Sequence, residues 1–225
     1  MSRKKKNKIV FVCTGNTCRS PMAEIVFKRV VESLKLTGLE ILSAGIRANE
    51  GDCINPKSRQ VLENKGFEVG TFAAKNITDD MLKYSVAIVC MTDSQRDLLM
   101  EMRWNVLRKA GVENIENNVY SFSELTGYEV LDPFGRDMDC YGYVFELIYG
   151  GMGALTEKIL TPSVRKKFVE KPPKTGTSST RKAVKSTNKK PSSAKKSGTK
   201  TTKGKNTGKT VKNKKADLAA KGEKL

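Results

Sequence analysis

From Ile9 to Val12 the chain runs through four consecutive apolar residues, then Cys13-Thr14-Gly15-Asn16-Thr17-Cys18-Arg19-Ser20, and reaches Pro21, which suits the first turn of a helix. An unbroken apolar run of this length fits a strand covered on both faces of a parallel sheet. The polar stretch after it is then a tight strand-to-helix loop. Cys13 and Arg19 stand at a Cys-x5-Arg spacing, and so short a loop can turn its backbone N–H groups inward on one anion, as nests and helix N-termini do. A phosphoryl group has the required charge and size. The Cys13 thiolate is then placed below the phosphorus as nucleophile. The fork of Arg19 holds two phosphoryl oxygens in the bidentate geometry that lysine lacks.

The rest of the first 160 residues reads as repeats of the same unit. A helix from Pro21 to about Leu34 carries Met22, Val26, Val30 and Leu34 on one face. Leu39 to Leu42 supplies a second strand, and Ser43-Ala44-Gly45 turns out of it. Asn55-Pro56 reads as a helix cap with proline behind it, opening a helix that Gly66 closes. Thr78-Asp79-Asp80 starts another helix with its acids at the positive end of the dipole. Val86 to Met91 is again a buried-type strand, followed by Thr92 or Asp93 as cap and a helix to about Ala110. Asn118 to Phe122 is a fourth strand, and a last helix runs from about Tyr141 to Leu160, weakened by Gly150, Gly151 and Gly153. Strands alternating with helices predict a single doubly wound α/β domain: a four-stranded parallel sheet, helices on both faces, and the phosphate loop after the first strand.

Charge sets the limits of this domain. Residues 162–225 hold 21 of the 42 Lys and Arg residues and 3 of the 24 Asp and Glu residues, so the whole net charge of +18 lies there and residues 1–161 are neutral. Beyond Pro162 hydrophobic periodicity gives way to Lys, Ser, Thr, Gly, Pro and Ala. Too few apolar residues remain to offset the entropy of ordering that stretch. The expected organisation is a globular domain over 1–161 and a disordered lysine-rich tail over 162–225.

The chain has no histidine. That excludes Ser-His-Asp and Cys-His nucleophile pairs and removes the commonest zinc ligand. The five cysteines, 13, 18, 53, 90 and 140, repeat no metal-binding spacing and form no regular disulfide framework. Neither a metal nor another cofactor is expected. No segment approaches the roughly 20 apolar residues of a membrane span, and the apolar run after the basic N-terminus is too short for a secretion signal. The expected compartment is the cytosol.

Cys13, Gly15, Asn16, Cys18, Arg19, Ser20 and Pro21 together match the signature Cys-x-Gly-Asn-x-Cys-Arg-Ser-Pro, and here the chain resembles the low-molecular-weight protein tyrosine phosphatase family. The resemblance runs over residues 7 to about 160, through Ser43-Ala44-Gly45, Val86 to Met91 and Leu131-Asp132-Pro133-Phe134-Gly135. It implies a protein phosphatase acting through a phosphocysteine on Cys13. Arg19 stabilises the transferring phosphoryl group, and Asp132 serves as general acid and then base. Thr14, Gly15, Asn16, Thr17, Cys18 and Ser20 complete the phosphate loop. From the residues themselves, Gly15 and Asn16 shape the loop, glycine by admitting positive φ and asparagine by tolerating left-handed geometry. Ser20 either donates to the Cys13 thiolate or caps the helix. The family makes a protective Cys13–Cys18 disulfide an option, against a simple filler role for Cys18. Phe134 is expected at the pocket rim.

Thr17 stands where tyrosine-directed members carry a bulkier aliphatic, and together with Asp132-Pro133-Phe134-Gly135 it is similar to the protein-arginine-phosphatase branch. Protein phosphoarginine is therefore the favoured substrate and phosphotyrosine the alternative. Arsenate reductases share this loop and a cysteine near the end of the third strand, here Cys90, but they follow it with a resolving cysteine that residues 94–99 lack. The tail resembles histone H1-type tails in composition. Its favoured partner, besides the phosphorylated proteins that the domain serves, is nucleic acid bound without sequence preference, the alternatives being another acidic surface such as an anionic membrane or a role in solubility alone. A nucleic-acid-binding protein with a vestigial enzyme domain is the reading of a different class.

Overall fold

The computed structural model describes residues 6–169. Its strands are β1 (Lys8–Cys13), β2 (Glu40–Gly45), β3 (Ser85–Cys90) and β4 (Val119–Ser121), all parallel in the order β2-β1-β3-β4. The helices are α1 (Arg19–Ser33), α2 (Pro56–Asn64), α3 (Asp79–Tyr84), α4 (Asp93–Lys109), α5 (Phe122–Thr126), α6 (Met138–Ile159) and α7 (Pro162–Phe168). Alternate residues of β1 explain its continuous apolar run. Ile9, Phe11 and Cys13 enter one core with Phe27 of α1 and Phe145 of α6, whereas Val10 and Val12 enter a second with Leu82 of α3 and Leu99 of α4. Both faces of the sheet are covered, as the doubly wound reading requires. The order reverses at β1 and β3, so the crevice beyond their carboxyl ends is where such a sheet binds ligands.

Local chemistry starts the helices where the sequence places the caps. Asn55 accepts the Lys57 N–H at 2.9 Å ahead of Pro56. Thr78 accepts the Met81 N–H, and Thr92 rather than Asp93 caps α4 by accepting the Gln95 N–H.

Several boundaries differ from expectation. Ser43-Ala44-Gly45 belongs to β2, held in register with Phe11, Val12 and Cys13 of β1. Phe122 does not end β4 but opens α5, because Ser121 and Glu124 form a capping box there. The last long helix begins earlier, at Met138, where Asp137 caps it, and it crosses Gly150, Gly151 and Gly153 unbroken. At Gly151 the missing side chain is required by packing, since a Cβ there would lie 2.6 Å from the buried Phe122 ring. Finally, the expected start of the tail is corrected. Pro162–Phe168 forms α7 behind a Thr161 cap, with Val164 and Phe168 packed on the core and the Thr37 N–H donating to the Phe168 carbonyl at 2.7 Å. Two apolar residues spaced for one helical face outweigh the basic residues between them. The remainder of the tail, from 170 on, lies outside the described residues. Among those that are described, no helix is long and apolar enough to cross a membrane.

Candidate active site

The loop from Thr14 to Cys18 leaves β1 at the crevice and is anchored from outside by its carbonyls. The Thr14 carbonyl accepts the Arg47 N–H and the Thr17 carbonyl accepts the Asn55 N–H, each at 2.9 Å. Outward carbonyls turn the amides the other way. Among the described residues, the N–H groups of Thr14, Gly15, Asn16, Thr17 and Cys18 donate to no backbone or side-chain acceptor. Successive backbone donors with no partner in the protein, set on a loop beside one cavity, make a place suited to an anion.

The loop's left-handed turn falls on Asn16, with φ 55°, and not on Gly15. The expectation for glycine is thus corrected: a Cβ on Gly15 would meet only Thr17 Oγ1, at 3.8 Å. Asparagine is among the residues that adopt this conformation with least penalty, and here its side chain closes the structure. The backbone N–H of Lys75, which can only donate, reaches Asn16 Oδ1 at 3.0 Å and so fixes the amide's orientation. The Nδ2 group then donates to Ser20 Oγ at 3.0 Å and to Ser43 Oγ at 2.9 Å. Close approach of β2 completes the loop. A Cβ on Gly45 would lie 2.7 Å from the Thr14 carbonyl oxygen and 3.1 Å from the Asn16 nitrogen.

Cys13 is buried, with its Sγ 3.0 Å from Ser20 Oγ. Helix α1 starts at Arg19 with Cys18 in the cap position and no side-chain cap bond, so Ser20 serves the sulfur and not the helix end. Arg19 is also buried. Its Nη2 donates to Asp132 Oδ2 at 2.5 Å, its Nη1 to the Val130 carbonyl at 3.4 Å, and its Nε meets no acceptor among the described residues. The Nε–Nη2 edge is the fork that a phosphoryl group would take. Asp132 is half exposed and its other oxygen accepts the Phe134 N–H at 3.1 Å, which stiffens the loop that brings it over the cavity.

These groups surround one cavity of about 300 Å³, in which Cys13, Thr14, Arg19 and Asp132 are joined by Thr17, Cys18 and the exposed ring of Phe134 at the rim. Every residue expected at the site is therefore on or beside it, Asn16 and Ser20 from behind the loop. The sequence reading missed several others. Arg47, Asn49 and Asp52, just beyond β2, line the mouth, and their nearest signal was the Ser43-Ala44-Gly45 run. Gln95 carried no signal. It is buried, accepts the Met91 N–H through Oε1 and donates through Nε2 to the Thr14 hydroxyl, both at 3.1 Å. Tyr141 places its hydroxyl 3.5 Å from Cys18 Sγ, and burial, reinforced by that contact, pushes its pKa up and keeps it neutral. Cys90 stands apart. It is buried in the α3 and α4 core, across the sheet from Cys13, and burial pushes its thiol far above the range in which a thiolate forms.

A family model described as low molecular weight phosphotyrosine protein phosphatase matches residues 8–167. A protein-arginine-phosphatase of Geobacillus stearothermophilus is 29% identical over 154 residues, covering 68% of this chain and 97% of that relative. A low molecular weight protein-tyrosine-phosphatase of Staphylococcus epidermidis, PtpB, is 32% identical over 144 residues, covering 63% of this chain and 91% of its own length. Among solved structures, a Cys-to-Ser mutant of the arginine phosphatase YwlE with a phosphorylated active-site serine matches with a TM-score of 0.59 at 26% identity, covering 69% of this chain and 97% of that one.

Proposed function

The chain belongs to the low molecular weight phosphotyrosine protein phosphatase family, whose members are cysteine-dependent protein phosphatases, and from that premise we propose that its preferred substrate is protein phosphoarginine, cleaved through a phosphocysteine on Cys13. The carrying observation is the meeting of Cys13, Arg19 and Asp132 at one cavity lined by loop amides. The Cys13 sulfur bonds to phosphorus as the bond from phosphorus to the guanidine nitrogen breaks. Loop amides and the Nε–Nη2 edge of Arg19 take the three phosphoryl oxygens, where the charge of the transition state collects. As those oxygens replace Asp132 on Arg19, the carboxyl group is released toward the leaving nitrogen and gives it a proton. Asp132 then accepts a proton from the water that cleaves phosphocysteine, and inorganic phosphate departs.

Three features support arginine over tyrosine. Thr17 leaves the wall short and polar where an aromatic substrate gains from an aliphatic surface. Asp132, once it has given its proton to the leaving nitrogen, faces the cationic guanidinium as a carboxylate. At the mouth Asp52 stands as a second acid beside Arg47. Relatives with names of both kinds match the chain at similar identity, so direct comparison is the test. kcat/KM is expected to be higher on a phosphoarginine peptide than on its phosphotyrosine counterpart, and Thr17→Ile should shift the ratio toward phosphotyrosine. A tyrosine preference in the unaltered protein reverses the assignment. Cys13→Ser should abolish turnover of either peptide, and Arg19→Ala should lower kcat by about a thousandfold or more.

The charge of the C-terminal stretch supports a second reading for that part of the chain alone. Residues 170–225 carry 18 Lys and Arg against 3 Asp and Glu, with Phe168 as the nearest aromatic residue. We infer a sequence-independent polyanion binder that holds the enzyme near nucleic acid, by counterion release and not by base stacking.

A further inference from the structure

We propose that Glu24 is a positioning residue for the nucleophile, acting on Cys13 through a buried line of hydrogen bonds. The line is continuous. Ser43 Oγ donates to Glu24 Oε2 at 2.5 Å, Asn16 Nδ2 donates to Ser43 at 2.9 Å and to Ser20 at 3.0 Å, and Ser20 Oγ lies 3.0 Å from Cys13 Sγ. Ser43, Asn16 and Ser20 are wholly buried, and Cys13 and Glu24 nearly so.

The direction of every bond in the line follows from its fixed ends. The Lys75 N–H occupies Asn16 Oδ1, so the amide presents only donors to the two serines. Each serine must accept from Asn16 and send its single proton onward. For Ser43 the receiver is Glu24, a carboxylate that can only accept. For Ser20 it is the Cys13 sulfur, the alternative being the Ala44 carbonyl at a longer 3.3 Å. Glu24 thus prevents the Ser43 hydroxyl from turning back, keeps Asn16 pinned between the serines, and leaves the Ser20 proton for the thiolate. Hydrogen bonds in such a chain strengthen one another in a low dielectric, and donation to the thiolate favours the ionised form.

Glu24 also stands at a boundary. Its other oxygen accepts from Lys28 at 2.6 Å, and both line a groove of about 410 Å³ between α1 and residues 66–72. Other charged groups on the groove are Arg29, Glu32 and Glu68, while Cys13 faces Arg19, Arg47, Asp52 and Asp132 across the catalytic cavity. Among the described residues, Glu24 joins the two places through hydrogen bonds.

The test reads the thiol directly and needs no substrate, so it stands whether or not phosphoarginine proves to be the substrate. In the full chain, the rate at which iodoacetamide alkylates Cys13 is followed by peptide mass against pH. Glu24→Gln and Ser43→Ala should each move the midpoint up by about 0.5–1 pH unit, as loss of a favourable hydrogen-bond arrangement requires. The double variant should move it no further than Ser43→Ala alone, because both changes cut one line. Ser43→Thr, which keeps the hydroxyl, should restore the original midpoint. Glu32→Gln, the same charge change on the same groove without the bond to Ser43, should leave it unmoved. An unmoved midpoint in Ser43→Ala, additive shifts in the double variant, or an equal shift in Glu32→Gln would overturn the proposal. Should Glu24→Gln fail to fold, the contrast between Ser43→Ala and Ser43→Thr decides it.

Discussion

Gly45 shows how little room the loop allows. A Cβ would strike the Thr14 carbonyl oxygen at 2.7 Å, the Ala48 Cβ at 2.9 Å and the Asn16 nitrogen at 3.1 Å, two backbone atoms and one fixed directly to the backbone, and none of these can swing aside as the end of a flexible side chain does. Gly45→Ala should cost about 1–3 kcal/mol of stability by overpacking. The larger effect falls on chemistry, since displacements approaching 1 Å in a positioned site cost on the order of a hundredfold in rate. Steady-state kinetics should therefore show kcat falling by more than KM rises, while thermal melting shows a folded protein. An alanine variant with unchanged kcat would mean that the loop relaxes freely. Of the residues on this side of the site, Asn16 was legible from the signature but its partners were not, because Ser43 and Lys75 lie 27 and 59 positions away.

At the scale of the element, α7 reverses a composition argument. Lys and Arg dominate Pro162–Phe168, yet Val164 and Phe168 sit one helical turn apart and cover the core beside Leu36 and Thr37. Burying such side chains even in part is worth about 1–3 kcal/mol. A chain ending at Thr161 should melt about 3–10 °C below one ending at Val169, and the longer one should match the full chain. Equal melting temperatures for the two truncations would show that the helix contributes nothing. The missed α5 has a similar cause. Phe122 prolongs the apolar character of β4, but the capping box of Ser121 and Glu124 ends the strand locally, and the ring then fills the space left by Gly151 on α6.

For the whole molecule, net charge divides what the chain can do. The first 161 residues balance their charges and hold the site, and the excess lies beyond them. The full chain should bind duplex DNA and RNA with an affinity that drops steeply as salt rises, on a slope set by the phosphates it neutralises. A chain ending at Val169 should lose that binding and keep kcat on a small phosphorylated substrate. Equal binding by both chains at every salt concentration would remove the role from the tail. The alternation of the four strands with the longer helices, the caps at Asn55 and Thr78, and the loop with Cys13 and Arg19 were all written in the sequence, because each depends on residues a few positions apart. So was the separation of charge, which is a matter of counting. Tertiary structure alone decided that Ser43 and Glu24 stand behind the loop, that Gln95 holds Thr14, and that Arg47 and Asp52 flank the mouth. It also decided that Cys13 and Cys90 lie on opposite faces of the sheet. Those relations join residues from separate strands and helices, and they come into being only when the sheet is wound and both its faces are covered.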